Sequence, residues 1–94
     1  MTPLPKIAPH LIWELMDGNL VIVHPSHGKV RVLNRLGTEV WQFMADATCS
    51  FEEVVEQISQ QYNIAHPQAQ EDLKSFFADL EGRGLIHWQH SHTI

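Results

Sequence analysis

A chain of 94 residues with 44% apolar and 18% charged residues has the composition of one ordinary globular domain, and it is too apolar to be disordered. Its net charge of −5 argues against a nucleic-acid partner, because neutralising phosphates needs a basic surface. A single cysteine, Cys49, excludes an internal disulfide, and no apolar run nears the roughly 18 residues that span a bilayer, so a cytoplasmic protein with no membrane partner is expected.

Residues 1–10 carry Pro3, Pro5 and Pro9, which favour an extended segment, prone to move as termini are. They lack the continuous apolar stretch of a secretory signal. The domain proper is expected over residues 11–88, with residues 89–94 a histidine-containing tail. Leu11–Met16 and Leu20–His24 read as strands, and the Asp-Gly between them is a strong hairpin signal, since glycine tolerates the positive φ the turn requires. "PSHG" at 25–28 gives a second turn, and Lys29–Leu33 a third strand. The sum is a three-stranded antiparallel meander that needs a helical layer on one face.

From Asn34 the apolar period changes from 2 to 3.6. Asn34 is a good N-cap, and Leu36, Val40, Phe43 and Met44 share one face of the helix behind it, with Trp41 at its border. "SFEE" at 50–53 is a capping box opening a second helix with Phe51, Val54, Val55, Ile58 and Tyr62 on one face; Asn63 is a suitable left-handed stop. Pro67 opens a third helix whose apolar stripe is Ala69, Leu73, Phe76, Phe77 and Leu80, ended by Gly82 and Gly84. Leu85–Trp88 reads as a short closing strand or an apolar plug. The order β-β-β-α-α-α is an α+β arrangement, winged helix-turn-helix-like with its sheet moved to the front.

Little in the sequence assembles catalysis. There is no G-x-S-x-G, no P-loop and no dinucleotide fingerprint, so no catalytic residue and no cofactor are assigned and a non-enzyme is expected. Glu52, Glu53 and Glu56 sit where a helix dipole favours acids. His87, His90 and His92 have a spacing that invites a metal, but no CxxC or HExxH accompanies them, and solvated histidines are the simpler reading. Phe76 and Phe77 are about 100° apart on a helix and cannot point to the same spot: either both are buried in the core, or one fills the core and the other lines a groove at the helix edge.

The cations are distributed unevenly. Residues 50–81 hold seven acids and one base, whereas Lys29, Arg31 and Arg35 occur with no acid between them. A third strand at the edge of a meander exposes unpaired backbone groups, which proteins often guard with charge. Lys29 and Arg31 are either such guards or selectors for an acidic peptide that adds as a fourth strand. From composition both readings stand open. The same edge could also pair with a second copy of the chain, giving a homodimer.

The strand ending in "LN" with its following helix ("LNRLGTEVW"), "SFEEVV", "QYNI" and the "DL…FFADL…GLI" run resemble, in that order and spacing, the PqqD family. These are the pyrroloquinoline quinone biosynthesis protein D-like domains, or recognition elements for ribosomally made, post-translationally modified peptides. The resemblance covers Trp13 to Ile86. It implies a winged-helix-like fold that binds the leader segment of a precursor peptide as a strand on the third strand and against the third helix. It implies delivery of that peptide to a modifying enzyme, such as a radical SAM protein, a cyclase or a leader peptidase. Carried onto this chain, the edge is Lys29, Val30, Arg31, Val32 and Leu33, and the helix wall is Gln70, Leu73, Lys74, Phe76, Phe77 and Leu80. Where the family commonly has an aromatic residue, this chain has Arg31, which fits a leader carrying Glu or Asp. The alternative reading is a winged-helix DNA-binding or transcription-associated module; against it, Pro67–Glu81 holds four acids and one base.

Overall fold

The computed structural model describes residues 2–88. Its strands are β1 (Lys6–Ile7), β2 (Ile12–Met16), β3 (Asn19–His24), β4 (Lys29–Leu33) and β5 (Ile86–His87), and its helices α1 (Arg35–Asp46), α2 (Phe51–Tyr62) and α3 (His66–Gly82). β2, β3 and β4 form an antiparallel sheet in that order, so the strand read as the third from sequence, β4, is an edge. Asp17 (φ 54°) and Gly18 (φ 81°) are both left-handed, as a two-residue type I′ hairpin turn requires.

Register decides which side chains meet the helices. Ile22 lies opposite Trp13 and Arg31, and Leu20 opposite Leu15 and Leu33. Alternation therefore puts these residues on one face. Leu20, Ile22 and Leu33 are fully covered there, and the helices add Trp41, Val54, Phe77 and Leu80 to the same core. Trp41 is central rather than bordering, and Trp13 meets it edge-on at 5.9 Å. The opposite face carries Ile12, Val30 and Val32, all exposed.

The helix starts follow from local chemistry. The Asn34 side chain accepts from the Gly37 N–H at 2.8 Å. Ser50 Oγ accepts from the Glu53 N–H, and Glu53 accepts from the Ser50 N–H, which completes the capping box. Asn63 (φ 53°) ends α2. α3 begins one residue before Pro67, at His66. A buried threonine joins sheet to helix: Thr38 Oγ1 accepts from the Leu20 N–H at 3.0 Å and donates to the Leu33 carbonyl at 3.3 Å.

The N-terminal segment is extended, as its prolines require, and it is packed rather than free. Leu4 is buried, the Phe51 N–H donates to the Thr2 carbonyl at 2.8 Å, and β1 pairs antiparallel with β5. Prolines fix the backbone without preventing packing, and Leu4 and Ile7 supply the apolar surface. Residues 85–88 are thereby both strand and plug: Ile86 pairs with Ile7, while Trp88 packs edge-on against Phe77 at 5.7 Å. Among the described residues no helix is long and apolar enough to cross a membrane.

Candidate functional site: an edge strand, a helix wall and two cavities

α3 runs alongside β4. Arg31 reaches from the helix-facing side of β4 to α3, where its Nη2 donates to Asp79 Oδ2 at 3.1 Å. Arg83 Nε donates to the same carboxylate at 3.1 Å. Burial pushes the Asp79 carboxyl up, but the bonds from Arg31 and Arg83 outweigh it and hold its pKa below the ordinary aspartate value. Arg31 is thus a paired cation, unlike the free charge its sequence context suggests. Its Nη1 also donates to the Val32 carbonyl at 3.2 Å, whereas its Nε is buried without a partner among the described residues.

Two cavities flank this bridge. Beyond the Leu33 end of β4 lies an apolar one of about 110 Å³, lined chiefly by Leu36, Gly37 and Val40 of α1 and by Ala69, Leu73 and Phe76 of α3. Gly37 allows this close approach: a Cβ there would lie 3.1 Å from the Phe76 ring, which would have to give by a few tenths of an ångström. At the Lys29 end lies a more polar cavity of about 310 Å³, lined by His24, His27, Lys29, Arg31 and Arg83. α3 therefore runs antiparallel to β4, its earlier residues beside Leu33 and its last beside Lys29.

The residues named from sequence separate into groups. Lys29, Arg31 and Phe76 face the groove between β4 and α3, and Leu73 forms part of its apolar floor. Val30 and Val32 stand 61% and 52% exposed on the edge strand, which leaves them free for an incoming chain. Leu33, Phe77 and Leu80 are core. Gln70 and Lys74 are on the other flank of α3, where they border a depression with Thr2, Phe51 and Trp88. Residues 70 and 74 lie one turn apart on a side of the helix roughly 100° to 140° around from Ala69, whereas Asp72, Phe76, Asp79 and Arg83 cluster on the other side of it. Asp72, Asp79 and Arg83 were missed for that reason. An apolar stripe identifies the core face of a helix, and a groove is lined by the stripe beside it. Among the described residues no three His, Cys, Asp or Glu side chains are grouped to hold a metal, and His90 and His92 lie outside the described residues.

An α+β domain of three strands followed by three helices, with an uncovered strand edge beside a helix-walled groove, has the form of a small winged-helix-like binding module. Residues 19–86 match the family model described as Coenzyme PQQ synthesis protein D (PqqD), and the chain belongs to that family. Among solved structures, that of TbiB1 in complex with the TbiA(β) leader peptide is similar in fold: the TM-score is 0.80 at 22% identity, over 95% of this chain and 99% of that one. Among curated proteins no sequence match is found.

Proposed function

We propose that this protein is a leader-peptide recognition element. It binds the leader segment of a ribosomally made precursor peptide as a strand added to β4, and it presents that peptide to a modifying enzyme, such as a radical SAM protein, a cyclase or a leader peptidase. The observation that carries this reading is the free backbone edge of β4 beside a preformed apolar cavity. The edge supplies sequence-independent hydrogen bonds, and the cavity supplies a place for a side chain. The fold shared with TbiB1, whose structure includes a leader peptide, supports the same reading. The protein acts by binding and not by catalysis. A cytoplasmic location fits its lone thiol, Cys49.

DNA binding is disfavoured by charge, since α3 presents Glu71, Asp72, Asp79 and Glu81 against Lys74. Without peptide, the same edge is open to a second copy of the chain, so a homodimer through β4 and peptide capture are competing states.

The test is an NMR titration with candidate leader peptides, taken from any short reading frames that neighbour the gene. Amide shifts should concentrate on residues 29–33 and on the Asp72–Arg83 flank of α3. Shifts confined to α2, or none, would refute the proposal.

A further inference from the structure

We propose that the cavity at the Lys29 end of the groove is a carboxylate site, which selects leaders carrying Asp or Glu about four residues from a bulky apolar side chain. This rests on the peptide-binding reading above and specifies its chemistry.

Charge is the first observation. Lys29, Arg31 and Arg83 are three of the six Lys and Arg residues in a chain of net charge −5, and they meet at one cavity. Asp79 is the acid among them, so the four groups carry a net charge of +2. Lys29 makes no ion pair among the described residues, whereas Arg31 and Arg83 share the single carboxylate of Asp79. The cluster can therefore accept another anion.

Unmet hydrogen-bonding capacity is the second observation. Among the described residues, Arg31 Nε is a buried donor without an acceptor, and His24 Nδ1, on the wall of the same cavity, also has no partner. Buried polar groups are normally paired, and a guanidinium presents a donor fork that fits a carboxylate. The His24 and His27 rings, 4.3 Å apart and tilted 46° to one another, both line this cavity.

Spacing is the third. Lys29, Arg31 and Leu33 alternate onto the same face of β4. The apolar cavity lies past Leu33 and the basic one at Lys29. A strand rises about 3.3 Å per residue, so the two sites match side chains four apart that point the same way. The occupant is thus an extended peptide with an apolar anchor and an acid in fixed register. A free anion would satisfy only half of the arrangement.

An mRNA-displayed library of random peptides, selected against the wild-type protein and against a Lys29→Gln/Arg83→Gln variant, tests this. Both substituted residues are exposed, so the variant should fold, and circular dichroism verifies that. Peptides selected on the wild type should carry Asp or Glu four positions from a bulky apolar residue. On the variant the acid preference should vanish while the apolar preference stays. A selected acidic peptide should lose roughly three- to tenfold in affinity to the variant at low salt, and its Gln analogue should lose almost nothing. Peptides that shift β4 amides but show no acid preference, or an acid preference unchanged by the variant, overturn the carboxylate site and leave the peptide-binding reading standing. Selected peptides that bind away from β4, or a selection yielding none, overturn both.

Discussion

Phe76 and Phe77 are adjacent in sequence and opposite in role, so replacing each with alanine tests the assignment of the groove. Phe77 is 1% exposed and packs against Phe51 and Trp88. Truncating a buried phenylalanine costs about 3–5 kcal/mol. A domain of this size holds about 5–14 kcal/mol of stability in total. At roughly 4–8 °C per kcal/mol, Phe77→Ala should lower Tm by at least about 12 °C. Phe76 is half-buried, lines the apolar cavity and touches Phe77 with ring centroids 5.9 Å apart. Its loss removes part of one ring's burial and one aromatic contact, about 1–2 kcal/mol together. Binding should respond in the reverse order. Phe76→Ala takes away the groove wall and should weaken a β4-binding leader peptide by about tenfold or more, which is about 1.4 kcal/mol. Phe77→Ala, measured below its own Tm, should bind with an affinity closer to wild type. Thermal unfolding by circular dichroism and calorimetric titration read the two effects separately. Equal destabilisation by both variants, or peptide affinity unchanged by Phe76→Ala, would refute the division of α3 into a core face and a groove face.

Two further outcomes follow from single interactions. Thr38→Val keeps shape but leaves the Leu20 N–H and the Leu33 carbonyl without this partner; it should cost about 1–3 kcal/mol, seen as a lower midpoint with unchanged slope in urea. Asp79 has a folded-state pKa depressed below the ordinary aspartate value, so its stabilising share is present above the unfolded-state pKa and is lost as pH falls through the lower, folded one. Asp79→Asn should therefore flatten the acid limb of the stability curve relative to wild type, by a modest amount because the bridge is partly exposed to solvent; parallel acid limbs would contradict that assignment.

The elements were legible because each has a local cause. Asp17-Gly18 encodes its turn, Asn34 and Ser50 their caps, and the change of period at Asn34 separates sheet from helices. Packing between distant segments was not legible. Nothing in the prolines of residues 1–10 says that Leu4 finds the core or that Ile7 pairs with Ile86, because such pairing depends on where chain ends meet in space. The groove was half legible. Alternation put Lys29 and Arg31 on one face of an edge strand, but the partner of Arg31 lies 48 residues away at Asp79. Gln70 and Lys74 lie on the flank of α3 away from β4, which sequence could not show, because hydrophobic periodicity marks the buried face and is silent about which flank borders the strand.

The open edge carries a physical conflict that the charges resolve. An unpaired strand with Val30 and Val32 exposed, on the same sheet face as Ile12 of β2, is the kind of surface that invites a second copy. Two copies meeting edge to edge would bring their Lys29–Arg31 clusters together, and they approach with net charges of −5 each. Both effects oppose pairing of like with like, and both are screened by salt, whose Debye length is about 10 Å at 0.1 M. Capture of an acidic peptide relies on the attraction that salt weakens. The two uses of β4 should therefore respond oppositely to ionic strength: self-association should rise with added salt, while affinity for an acidic leader falls. Sedimentation velocity at low and high salt, with and without peptide, measures both. Saturating peptide should dissolve any dimer formed at high salt, because both need the same backbone groups. A dimer that persists with peptide bound would mean that association uses another surface, such as the Ile12 side of the sheet, and that β4 is reserved for the peptide.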